Sequence, residues 1–214
     1  MILYLIRHAE MAGDPFCCPT TPVSGCLSEP NGIEQASQTA KMMAEKQIDF
    51  AISSSYGRAL QTAEIVLGSR DIPIKTVHNL HEWYPNLELD KIPSTEFSKM
   101  QTIESSKFAE ETWKTQLGEG TFDMYARIIP AFLESLSEVG LHQRYGGWHI
   151  DEASRDKNIA IFAHGGSLNT ILSFILKIPP FPIGSFSFEH TGVAEIKFIE
   201  NNNVFYPSLV IKTL

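Results

Sequence analysis

The sequence predicts an α/β protein, a sheet packed between helices. Two observations carry that reading. Short apolar runs, Ile2–Ile6, Phe50–Ile52, Ile74–Val77 and Ile159–Ala163, alternate with stretches of helical character. Two of those runs end on a histidine, His8 and His164. Ligand sites of open α/β sheets lie beyond the carboxyl ends of strands.

Ile2-Leu3-Tyr4-Leu5-Ile6 is continuously apolar, as in a strand covered on both faces. The segment from Glu10 to Glu29 is rich in Gly, Pro, Cys, Ser and Thr and reads as a loop. Ile33 to Lys46 places Ile33, Ala36, Ala40, Met43 and Ala44 on one side of a helix. Ser53-Ser54-Ser55 offers caps for a helix from about Arg58 to Leu67. From Glu82 to Gly120 the chain is polar and lacks clear strand signals, with helix-compatible residues from Pro93 to Lys114. We read about 83–120 as a cap inserted into a single domain spanning 1–214. A long helix, about Phe122 to Val139, follows. Leu141 to Asn158 reads as a polar connector whose Tyr145, Trp148 and His149 either cover the cleft or sit on the surface. Gly165-Gly166 opens a helix that runs to Leu176, and Pro179, Pro180 and Pro182 stop it. Val193–Ile199 and Phe205–Ile211 form two strands around an Asn201-Asn202-Asn203 turn.

Composition excludes several classes. The 214 residues are 43% hydrophobic and 20% charged, which suits one globular domain. No apolar run reaches the ~18 residues of a membrane span. The first run has no basic segment before it and no cleavage site, so it does not read as a signal peptide, and the expected location is the cytoplasm. A net charge of −8 argues against nucleic acid as a partner. An anionic substrate must then be met by a local positive pocket. Cys17, Cys18 and Cys26 are odd in number and include an adjacent pair, which speaks against a disulfide framework; no zinc spacing is present either.

Chemistry concentrates at the strand ends. Arg7 and His8 close the first strand. His164 closes another, and Gly165 and Gly166 then let backbone approach a ligand at a helix N-terminus, which favours anions. Arg58 stands at the start of a helix, where the dipole disfavours a cation. A bound phosphate would account for it, since guanidinium grips phosphate oxygens bidentately.

These residues sit in blocks that resemble the histidine phosphatase superfamily, the phosphoglycerate-mutase-like branch with an R-H-G motif. Arg7-His8-Ala9-Glu10 resembles R-H-G-E, and the stretch Leu27 to Ala36 resembles L-T-x-x-G-x-x-Q-A. Ser53 to Ala63 resembles S-S-x-L-x-R-A-x-Q-T-A, Leu80-His81-Glu82 resembles L-x-E, Gly118-Glu119-Gly120 resembles G-E-S, and His164-Gly165-Gly166 resembles the second histidine motif. The resemblance implies a three-layer α/β/α sandwich around a mostly parallel sheet, with a helical cap. It implies that His8 is the nucleophile and becomes phosphohistidine. Arg7, Arg58, His164 and Gly165 then bind the phosphoryl group, and Glu82 is the acid and later the base. The substrate class is a small phosphomonoester, and no metal or other cofactor is called for. Ala9 replaces the usual glycine, a small change. Asp14 stands where many members have a phosphate-binding asparagine, so Thr20, Ser24 or a backbone amide would have to substitute.

Three other readings compete. A mutase would carry extra basic residues after the acid, whereas Trp83 to Glu119 holds Lys91, Lys99, Lys107 and Lys114 but no arginine. A serine hydrolase is suggested by Gly165-Gly166-Ser167-Leu168-Asn169, but no Asp follows Ser167 and Glu189 directly precedes His190, which breaks the usual order. A non-catalytic relative would be expected to have lost His8, Arg58 or Glu82, and all are present. A zincin motif fails because Pro85 occupies the place of its second histidine.

Overall fold

The apolar runs become the centre of an eight-stranded sheet. A computed structural model describes residues 1–13, 26–89, 92–107, 115–144, 146–179 and 185–210. Asp14, Cys17, Cys18, Thr20, Ser24, Lys91, Lys114, Tyr145, Pro180 and Pro182 lie outside the described residues. The strands are β1 (Ile2–Arg7), β2 (Phe50–Ser54), β3 (Ile74–Val77), β4 (Leu141–Arg144), β5 (Gly147–Ile150), β6 (Asn158–Ala163), β7 (Val193–Asn201) and β8 (Val204–Val210). The helices are α1 (Asn31–Met43), α2 (Gly57–Leu67), α3 (Ser94–Ser105), α4 (Thr121–Glu138) and α5 (Gly165–Ile175).

The sheet order is β3-β2-β6-β1-β7-β8-β5-β4. Strands β3, β2, β6 and β1 are mutually parallel, and every pairing from β1 through β7, β8 and β5 to β4 is antiparallel. The sandwich is as expected, but the sheet is mixed rather than mostly parallel. The antiparallel half begins where β7 lies against β1, and β8 returns along β7 in a hairpin through Asn202 and Asn203, with φ of 50° and 62°. Two successive positive φ values define the tight turn that suits twisted strands, and Asn tolerates them.

Strand β1 shows why its sequence is apolar throughout. Leu3 and Leu5 join the cluster formed with Ile128, Phe132, Leu168 and Ile171 of α4 and α5. Tyr4 and Ile6 face the other way, toward Met43 of α1 and Ala63, Val66 and Leu67 of α2. Strand β6 alternates in the same manner, with Ile159 and Ile161 on one side and Ala160 and Phe162 on the other. Each such large side chain contributes about 1.5–3 kcal/mol by burial. The register then pairs Arg7 with Ala163, so the residues that follow, His8 and His164, emerge side by side.

The connector at 141–158 is not irregular. It holds the β4–β5 hairpin, turned through Gly146 at φ 89°. Leu141, Trp148 and Ile150 are buried and His149 is exposed. Trp148 packs edge-on to Phe132, Phe174 and Phe198. It extends the core and does not cover a cleft. Between β3 and α4 the chain makes short 3₁₀ turns at His78–Leu80 and Leu87–Leu89 and then forms α3, which ends at Ser105, well before Lys114. Trp83 and Phe97 pack together with Leu117, while Tyr84 is 46% exposed. No described helix is long and apolar enough to cross a membrane.

Candidate active site

Three segments bring His8, Arg58 and His164 together at the carboxyl edge of the parallel strands. The His8 amide donates to Ala163 O at 2.9 Å, extending the β1–β6 ladder by one step. The loop beyond is held by two glutamines of the sequence motifs. Gln35 Oε1 accepts from Glu10 N, and Gln61 Oε1 accepts from Leu27 N, both at 2.8 Å. Thr62 Oγ accepts from Ala9 N at 3.0 Å and donates to Arg58 O at 2.7 Å, tying this loop to α2. The backbone under His8 is therefore fixed before any ligand arrives.

The tautomer of His8 follows from its partners. Ala9 O can only accept, so Nδ1 carries the hydrogen, at 2.6 Å. Nε2 accepts from Arg58 Nε at 3.2 Å and bears the free electron pair. Burial first, then Arg58, push the His8 pKa well below the ordinary histidine range, so the ring is neutral at pH 7. His164 lies 5.0 Å away between ring centroids and is fully buried; burial and the charges around it likewise push its pKa well down. Its Nε2 bonds Ser54 Oγ at 2.8 Å.

Arg58 is not a solvated surface residue. It is 2% exposed and its guanidinium lies over the Tyr56 ring at 5.1 Å. Arg7 donates through Nη1 to Phe188 O at 2.5 Å, and its Nη2 faces His190 Nε2 at 3.3 Å. Burial lowers the pKa of both arginines, with Glu82 pulling each back up. Among the described residues, four buried side-chain polar atoms lack a partner: Arg7 Nε, Arg58 Nη1, His164 Nδ1 and Thr121 Oγ. Three of the four belong to this cluster. A buried unpaired donor costs about 1–3 kcal/mol, so such atoms call for an explanation.

Glu82 follows the turn after β3. Its carboxylate accepts from Trp83 N at 2.9 Å and from Gly166 N at 3.1 Å, the latter in the first turn of α5. The segment beneath it is clamped from α4. Arg127 pairs bidentately with Glu119 at 2.8 and 2.7 Å and donates to Asn79 O, His81 O and Glu82 O. Glu119 also accepts from Tyr84 N at 2.9 Å. The sequence reading missed Arg127 and His190. Both contacts are tertiary, and only an unmatched arginine facing inward on α4 could have hinted at the first.

The amide of Gly166 turns to Glu82, not to an open pocket as the two-glycine motif suggested. A Cβ on Gly166 would sit 2.5 Å from Glu82 Oε1, whereas on Gly165 it would meet Arg7 and Glu82 only at 3.7–3.9 Å. The carboxylate is the movable partner, so Gly166→Ala is expected to displace Glu82 and not the helix. If the displaced carboxylate takes part in the chemistry, turnover should fall by about 10²-fold, the scale of general acid–base catalysis. Vanadate affinity should stay within a few-fold of wild type, and Gly165→Ala should do less. Steady-state kinetics beside vanadate titration would check this; equal effects of the two substitutions would contradict it.

A buried imidazole at a strand end is thus flanked by two guanidiniums and a second imidazole, with a carboxylate at the α5 N-terminus, an arrangement suited to an anion. Residues 3–206 match the family model of the histidine phosphatase superfamily, branch 1, and the chain belongs to that family. Among its relatives, the probable phosphoglycerate mutase GpmB of Serratia proteamaculans is 25% identical over 182 residues, covering 84% of this chain and 76% of the relative. The Yersinia pestis protein of the same name is 28% identical over 180 residues, covering 83% and 75%. The fold is shared with a putative α-ribazole-5'-P phosphatase of Escherichia coli, at TM-score 0.73 and 21% identity over 99% of this chain and 97% of that one. It is also shared with a mycobacterial glucosyl-3-phosphoglycerate phosphatase complexed with VO3, at TM-score 0.75 and 18% identity over 99% and 98%.

Proposed function

We propose that this protein is a phosphomonoesterase that works through a phosphohistidine on His8. The observation that carries the reading is the set of unpartnered buried donors on Arg7, Arg58 and His164 around a neutral, tautomerically fixed His8. A phosphoryl group supplies acceptors to all three. His8 Nε2 attacks phosphorus as the ester P–O bond breaks, and Glu82 protonates the departing oxygen. Glu82 then takes a proton from the water that cleaves the P–N bond, releasing inorganic phosphate. Arg7, Arg58 and His164 meet the charge spread over the equatorial oxygens. Gly165, beside Arg7, is the glycine of the pair left to approach the phosphate. Residues 83–120 act as a cap within a single domain and shape the leaving-group side.

Hydrolysis is favoured over mutase chemistry by the charges of that side. Residues 83–120 contain no arginine, and Arg127 of α4 is engaged by Glu119. No arginine of this segment is thus available to a second anionic group of the substrate. The structural relatives named above include phosphatases, and the sequence relatives are named probable mutases, so a direct assay is needed. A panel of sugar phosphates, phosphoglycerates and nucleotides should include esters that are hydrolysed to free phosphate, at rates unchanged by EDTA. The two guanidiniums supply positive charge, the part that a metal plays in other phosphatases. Loss of activity in EDTA with recovery on added zinc or magnesium would overturn the mechanism, and isomerisation without phosphate release would favour the mutase.

A further inference from the structure

A third imidazole faces the nucleophile. His190 stands 5.7 Å from the His8 ring between centroids and is half-buried. It lies in a turn closed by Gly192 N donating to Glu189 O at 2.9 Å. Thr191, third in that turn, has φ 58°. That backbone region suits Gly or Asn and strains a β-branched residue. Such outliers persist where their surroundings hold them, and they cluster at functional sites. Here the holding contacts are explicit. Arg7 N donates to Gly192 O at 3.1 Å, Thr191 N donates to His8 O at 3.3 Å, and Thr191 Oγ donates to His190 O at 2.7 Å. The strained turn is stitched to the backbone of Arg7 and His8, and it presents His190 to the same space.

We propose that His190 is a further ligand of the transferred phosphoryl group, gaining a proton from solvent as the dianion binds and then donating it as a hydrogen bond to a phosphate oxygen. Without an anion, His190 Nε2 accepts from Arg7 Nη2, so the ring is neutral and Arg7 is partly spent on it. The charged groups that face His190 are Arg7 from β1, Glu10 from the following loop and Glu189 from its own turn, with His8 beside it. Burial, and then Arg7, hold its pKa below the usual histidine range, while Glu10 and Glu189 pull upward. A bound dianion adds negative charge at the one side now occupied by a cation. The proton then converts His190 from acceptor to donor, and the Arg7 Nη2 hydrogen is released to the phosphate. Binding and proton uptake are therefore linked, and affinity falls as pH rises through the range in which His190 must acquire its proton.

This inference rests on the phosphate-binding reading of the pocket but not on turnover, so inorganic phosphate is the probe. Titration calorimetry in two buffers of different ionisation enthalpy, at pH 7.5, counts the protons taken up. Phosphate itself and the other imidazoles contribute equally in wild type and variant, so the difference isolates His190. His190→Gln keeps an acceptor for Arg7 but cannot take the proton. We expect the wild type to take up about one proton more than this variant. We expect it to bind phosphate about tenfold more tightly at pH 6.5, with the two proteins converging near pH 9. His190→Ala, which also removes the acceptor, should bind more weakly at every pH. If His190 only orients Arg7, His190→Gln will match wild type in affinity and proton count throughout, and the proposal is overturned. Hydrolysis of esters with no proton difference would overturn this proposal alone. Failure of wild type to bind phosphate would overturn the site reading as well.

Discussion

Replacing His8 by alanine should abolish turnover while leaving the phosphate pocket in place. The loss should be on the order of 10⁴-fold or more, as when the nucleophile of a covalent catalyst is removed. The pocket should survive because each of its parts has a contact besides the ring. Arg7 is held by Phe188 O and Arg58 by the Tyr56 face, and His164 by Ser54. Removing the imidazole also relieves Arg58 Nε of its present partner and frees it for phosphate. Vanadate should accordingly bind His8→Ala at near wild-type affinity. Rapid quench of the wild type with a labelled ester should trap an acid-labile, base-stable adduct, the behaviour of a phosphoramidate. Near-normal hydrolysis by His8→Ala would end the proposal, and label found on His164 would exchange the roles of the two histidines.

Glu82→Gln should divide substrates by their leaving groups. The glutamine keeps an oxygen that can accept from Trp83 N or Gly166 N, so the loop need not move. It cannot deliver a proton to an alkoxide. Alkyl phosphates should slow by about 10²-fold or more, and p-nitrophenyl phosphate much less, since its phenolate leaves without help. Burst kinetics separates the two steps: with the nitrophenyl ester, the variant should still show a rapid first turnover. Equal losses on both substrates, with a burst on each, would place Glu82 in water activation alone.

What could be read beforehand depended on whether the signal was local. His8 and His164 were legible because each ends a run apolar on both faces, and such runs are central strands. Arg58 was legible as a cation where a helix dipole opposes one. Glu82 had no local signal; only its resemblance to an L-x-E block singled it out, and its neighbours come from α5 and α4. Arg127 reaches Glu82 O across 45 residues and His190 reaches Arg7 across 183, separations that no window of sequence contains. The β4–β5 hairpin was missed because two four-residue strands leave a short alternation, although Trp148, His149 and Ile150 do follow it. The mixed sheet was missed for a different reason. Periodicity identifies a strand but carries no direction, so the apolar pattern left open which way β7 runs beside β1, and the pairing is antiparallel.

The location of β1 in the sheet also constrains how the chain reaches its native state. Its parallel neighbour β6 is 156 residues further along, and its antiparallel neighbour β7 is further still. A ribosome must therefore complete most of this polypeptide while the strand bearing His8 has no partner on either edge. Apolar strands left open in this way attract other chains, and long-range pairings close slowly. His8 thus gains its fixed geometry only near the end of folding, and a chain that stops short of β6 lacks the pairing that sets His8 beside His164.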